Sequence, residues 1–276
     1  MKPSVNAFGG LSTNYIYFRT PVPERVATGN FTNTGNLSFT NVGTGALTVS
    51  GNVLSGGDVT FNANNTQAFA ITAPYFNPSG RVINSGTGTG TVTISGKVGA
   101  NPTELVQNSV TSPIVVSGNM SDFSGDFVLN AGRITVSSGG SMLKPFGINQ
   151  MANTIFQLDA GTNYNIDSIS SAAGSQLIFG SGLYPTNLNF TDAVDTTIAG
   201  AVTMAGSGTI NVVKNGVSDW TLQSGVAYNG STTINQGSII IAGSNPVEGR
   251  RFNTLRAQHH RGCADGRCRT DHHTMD

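Results

Sequence analysis

Between Gly206 and Ala242 the chain never runs more than eight residues before a glycine or asparagine interrupts it. Thr209–Val213 ends at Lys214-Asn215-Gly216, and Trp220–Gln223 ends at Ser224-Gly225. Thr232–Asn235 is followed by Gly237, and Ser238–Ala242 by Gly243. The segments are rich in Ile, Val and Thr, which suit a pleated, half-buried surface. The breaks carry Gly and Asn, which tolerate the positive φ of a sharp turn. No segment has the length or apolar spacing of an amphipathic helix. The pattern predicts short strands wound into coils.

Phe123–Val136 aligns without gaps on Tyr228–Ile241, with the aromatic, both glycines and the Asn in register. Strand side chains alternate between faces, so the match fixes orientation as well as spacing. If Leu129 and Ile234 point inward, so do Phe127 and Thr232. After the turn, Ile134 and Val136 share a face, as do Ile239 and Ile241. A second echo pairs Gly43–Gly51 with Gly88–Gly96. Repetition of single strands between turns is the mark of a solenoid.

The residues Gly206-Ser-Gly-Thr209, Lys214-Asn-Gly216, Leu222-Gln-Ser-Gly225, Tyr228-Asn-Gly230, Thr232-Thr-Ile-Asn235 and Gly237-Ser-Ile239 resemble the autotransporter-associated β-strand repeat. The likeness spans roughly forty residues, with weaker echoes over Asn30–Gly140. Val217-Ser-Asp-Trp220 departs from the glycine and small residues usual in the repeat. The resemblance implies a pertactin-like, right-handed parallel β-helix in the passenger domain of a Gram-negative autotransporter, displayed outside the cell. It also implies a translocating β-barrel, of which this chain shows nothing.

Three segments follow. Residues 1–27 are extended, with Thr20-Pro-Val-Pro-Glu24 stiffened by its prolines. Residues 28–246 are expected to form the β-helix, at about ten coils of roughly twenty to twenty-five residues each. Phe31, Leu37, Phe39, Leu47, Val49, Val59 and Phe61 are the expected inward set. Phe127, Leu129, Leu143, Phe146, Ile155, Phe156, Leu158, Leu177, Ile178, Phe179, Leu188 and Phe190 extend the apolar column. Pro74–Pro78 and Asn101–Ser112 break the pattern and are expected to bulge from the body. Met1–Gly10 has no apolar run behind its lysine, so no secretory signal is visible and an incomplete copy is expected.

Residues 247–276 change character abruptly, holding all four His, both Cys and six of the fourteen basic residues. His259, His260, Cys263, Cys268, His272 and His273 invite a zinc reading, but Cys-x4-Cys is wide for a finger. Translation out of frame explains the same shift, and a disordered tail is expected. A Cys263–Cys268 disulfide would close only a small loop.

Only 10% of residues are charged and the net charge is zero, so nothing draws the chain to nucleic acid or an anionic membrane. The first 258 residues contain no His or Cys, which removes Ser-His, Cys-His and most zinc mechanisms. Gly86-Thr-Gly-Thr-Gly90 is a turn cluster, not a dinucleotide fingerprint. Paired carboxylates are the remaining route to chemistry. Asp122/Asp126 and Asp192/Asp195 are near in sequence, with Arg133 and Tyr184 as the only nearby candidates for binding a saccharide. Isolated acids on loops are more often solvated turn residues. The sequence therefore predicts a non-catalytic structural or adhesive module with no cofactor, metal or catalytic residue. Its expected partners are surface glycans or proteins and, end to end, further copies of itself. The alternative is a carbohydrate-active β-helix.

Overall fold

The computed structural model describes residues 13–18, 24–137, 142, 144–159, 163–180, 186–205, 209–224 and 230–242. These residues form an all-β parallel solenoid of about nine turns, and no helix occurs among them. Strands stack into one sheet of fourteen, one of nine and one of two. Every strand pairing is parallel, and paired positions lie between 19 residues apart, as Asp219 and Ser238, and 27 apart, as Ser171 and Ile198. That spacing is one winding. The zinc and disulfide residues of 247–276 lie outside the described residues.

The strands in Gly206–Ala242 fall where the glycines place them: Ile210–Lys214, Asp219–Leu222, Thr232–Ile234 and Ser238–Ile241. The shorter echo also has a structural meaning. Ala46–Val49 and Val92–Ile94 both pair with Phe69–Ile71, one on each side, so they hold the same place two windings apart. In the longer echo, Phe127, Leu129, Thr232 and Ile234 are all buried, as are Ile134 and Val136. Ile239 packs against the core, but Ile241 is half-exposed.

Phe31, Leu37, Phe39, Leu47, Val49, Val59 and Phe61 are all buried. The interior is threaded by aromatic rings: Phe39 lies 5.8 Å from Phe61, and Phe61 lies 5.2 Å from Phe69 and 5.9 Å from Phe76. A second cluster centres on Phe127, and a third pairs Phe190 with Trp220 at 3.9 Å. Two members of the expected column sit differently. Ile155 and Ile178 are half-buried, because each holds the outward parity of its strand beside Phe156 and Leu177. Leu143 lies outside the described residues.

Both expected excursions are instead part of the body. Phe76 is fully buried and bridges Val53 below and Val98 above, extending the smallest sheet. Its prolines flank the rung without occupying it. Glu104–Gln107 is a rung of the largest sheet, between Val82–Asn84 and Asp126–Leu129, with Leu105 buried.

The corners explain the asparagines. Where the backbone ladder lapses, an Asn or Asp side chain accepts the N–H of the next winding. Asn30 accepts from Asn52 at 3.0 Å, and Asn52 in turn from Tyr75 at 3.1 Å. Asn36, Asp58, Asn64 and Asn77 serve Asp58, Arg81, Thr87 and Asn101 at 2.8–2.9 Å. Each satisfies an amide that would otherwise lack a partner.

The glycines at other corners are set by close approach. A Cβ on Gly96 would lie 1.9 Å from the Ala73 carbonyl oxygen, and one on Gly118 would lie 1.8 Å from that of Gly96. Gly118→Ala forces that rung apart and is expected to cost about 1–3 kcal/mol of stability. Urea unfolding checks this, and an unchanged midpoint would show that the corner can relax.

Candidate functional site

The largest sheet divides in its later windings. The long strand Asn163–Ser171 pairs through its first half with Thr186–Phe190 and, at Ser171, with Thr196–Ile198. One side of the coil thus becomes two, joined by a new corner at 191–195. The next winding repeats it between Ile210–Lys214 and Asp219–Leu222. Inside this corner lies the least expected group of residues in the molecule.

Lys214 and Asp192 are both buried there, 0% and 2% exposed. Lys214 Nζ lies 3.1 Å from Asp192 Oδ1, donates to the Gly216 carbonyl at 2.7 Å, and to Ser218 Oγ at 3.0 Å. Asp192 Oδ2 accepts from the Ser218 hydroxyl and, at 2.8 Å, from the Trp220 indole N–H. Oδ1 has no hydrogen-bond donor aligned on it. The ammonium also stands 5.6 Å from the Trp220 ring centre, a cation–π distance. Ser218 and Trp220 belong to the stretch that departs from the repeat pattern, so the departure marks this cluster.

The carboxylates paired in sequence are not brought together as sites. Asp122 is at the surface, 2.7 Å from Lys97, which holds its carboxyl below the usual carboxylate range. Asp126 accepts the Gly147 N–H at 2.9 Å. Asp195 is exposed and accepts the Asp219 N–H at 2.8 Å, while Asp192 is taken up by the buried cluster. Arg133 bonds Thr135 at 3.0 Å and the Gln157 side chain. Tyr184 lies outside the described residues. Among the described residues no group of three or more His, Cys, Asp or Glu is poised to hold a metal.

No family model, curated protein or solved structure matches this chain.

A different acid, Asp167, feels the charge of Asp126. The register between Phe146–Gln150 and Asn163–Ser171 shifts after Phe146, so Gly147 faces Ser168 and Asp167 is the extra residue of a bulge. Asp126 lies on the winding below Gly147, whose missing side chain leaves room for Ser168 and Asp126: a Cβ there would be 2.5 Å from Ser168 Oγ and 2.6 Å from Asp126 Oδ1. Desolvation, and then repulsion from Asp126, push the Asp167 carboxyl above its ordinary value. Sequence could not reveal this pairing, since it depends on a one-residue slip.

The sign of the Asp167 effect is definite. A carboxyl raised in the fold disfavours the folded, charged form, so its penalty is absent below the unfolded value and grows as pH rises through the raised one. Asp58 is the opposite case. Burial opposes its charge, but hydrogen bonds and attraction from Arg81 prevail and lower it. Its contribution is present above the ordinary carboxylate value and is lost as pH falls through the lowered one. Asp167→Asn is therefore expected to raise stability at neutral pH, and Asp58→Asn to lower it. Both differences should shrink below the carboxylate range. Urea midpoints across that range check the signs.

A small apolar cavity of about 50 Å³ lies within the divided windings, lined among others by Phe179, Phe190, Val202, Val212 and Leu222. An apolar void of this kind stays dry and offers no polar handle for a substrate.

Proposed function

We propose that the chain is a non-catalytic structural or adhesive module of the autotransporter passenger type, working at the surface of a Gram-negative cell. The observation that carries this reading is the solenoid itself, joined to the repeat-like residues of Gly206–Ala242. The windings present neutral polar side chains outward, among them the Asn163–Asn187–Asn211 ladder with its 2.6 and 2.9 Å bonds. Such a surface suits contact with glycans or proteins without attraction to nucleic acid. The last described strand, Ser238–Ile241, has Ile240 and Ile241 half-exposed, and end-to-end pairing of copies is proposed on it. Light scattering at high concentration tests that pairing, and a strictly monomeric profile counts against it.

A second reading, a carbohydrate-active β-helix, draws its support from the Asp126/Asp167 pair across the bulge. In that reading Asp167, with its raised carboxyl, is the acid and Asp126 the base. One experiment separates the two. Purified chain is applied to intact cells and immobilised glycans while reducing ends are assayed. Saturable binding without reducing-end release is expected. Release abolished by Asp126→Asn or Asp167→Asn would replace the first reading with the second, and failure to bind any surface would remove the adhesive role.

A further inference from the structure

We propose that Lys214 and Asp192 condense to an amide, forming an internal cross-link between two successive windings. The two residues sit one winding apart, Lys214 ending a strand whose partner ends at Phe190, two residues before Asp192. By contrast, the ion pairs Arg81–Asp58 and Lys97–Asp122 are at the surface. The Lys214–Asp192 pair is enclosed by protein on all sides.

Each atom of the cluster has a place in the reaction. The ammonium turns to aim one Nζ proton at Oδ1, 3.1 Å away, and passes it across, leaving an amine against a carboxylic acid. The amine lone pair attacks Cγ and the C–N bond forms. Negative charge then develops on Oδ2, where the Ser218 hydroxyl and the Trp220 indole N–H already converge as an oxyanion hole. A second Nζ proton follows to Oδ1, the Cγ–Oδ1 bond breaks and water leaves. The last proton stays on the amide nitrogen and keeps the bond to the Gly216 carbonyl, 2.7 Å from Nζ. Ammonium and carboxylate become amide and water, with no oxidant, reductant or further reactant.

Two physical terms favour the step. The fold holds amine and acid in fixed contact, which supplies the large effective concentration of an intramolecular reaction. The product is also neutral, so it removes the desolvation penalty that a buried ion pair carries. Oδ1, the one cluster oxygen lacking an aligned hydrogen bond, is the atom expelled. Oδ2 stays as the amide oxygen with both of its donors.

Intact mass of the purified full chain tests the proposal. The expected mass is one water below that of the sequence, and digestion should yield a branched peptide joining the segments around Asp192 and Lys214. Lys214→Arg keeps a cation but cannot form this bond, so its mass should equal its own sequence. A wild-type chain at full sequence mass, with its Lys214 amine free to label after unfolding, overturns the proposal. A water loss mapped to any other residues overturns it equally. Should Lys214→Arg fail to fold, peptide mapping of the wild-type chain decides alone.

Discussion

Asp192→Ala is expected to cost the chain about 3–5 kcal/mol, because it leaves Lys214 buried without its counter-ion. The ammonium would keep the Gly216 carbonyl and the Ser218 hydroxyl, but neither carries charge. Trp220 would lose the acceptor for its indole N–H at the same time. The loss should appear in urea unfolding as a lower midpoint. Joint replacement by Asp192→Leu and Lys214→Met removes both charges and both desolvation penalties. If the pair acts only as an ion pair, the double variant should recover most of the stability. A single variant as stable as the parent would show that the corner opens to water around Lys214.

Phe127→Ala is the second large effect, at about 3–5 kcal/mol. Phe127 is fully buried, and its ring lies 5.5 Å from Phe123, 5.5 Å from Phe146 and 5.0 Å from Phe156. Those partners come from its own winding and the one above, so truncation opens a void shared by several rings. Parallel rungs on either side fix the backbone and limit collapse into the void. A solenoid is coupled through nearest neighbours, so a weakened winding in mid-stack should also broaden the transition. Loss measured by denaturant unfolding checks the size. A change near zero would mean the column repacks freely.

The winding was legible because two periodicities coincide in the residues. Alternation within strands placed Phe39, Phe61 and Leu129 inside, and glycine spacing placed the corners. Parity also went astray where the apolar run was longer than the alternation. Ile155 and Ile178 are apolar but hold outward positions, which composition alone cannot distinguish. Pro74–Pro78 looked like an interruption because proline cannot donate to a ladder, yet only Phe76 has to occupy the rung. The acids were the least legible. Asp192 and Asp195 are close in chain but one enters the core and the other faces water. Asp126 and Asp167 are far apart in chain, yet the bulge sets Asp167 within the electrostatic reach of Asp126. Partner choice across windings depends on register, and a slip of one residue changes it. The polar break Val217-Ser-Asp-Trp220 was the one sequence signal of the buried corner.

The ladder also decides how this body responds to tension. The bonds between windings run along the axis, and the corner asparagines follow the same direction. A pull along the axis therefore loads the outermost turn first and peels it away before the next is strained. A pull along the strands must instead shear a whole set of rungs at once. The molecule is soft lengthwise and stiff crosswise, and a lysine fastened to an aspartate across two levels would halt the peeling at its corner.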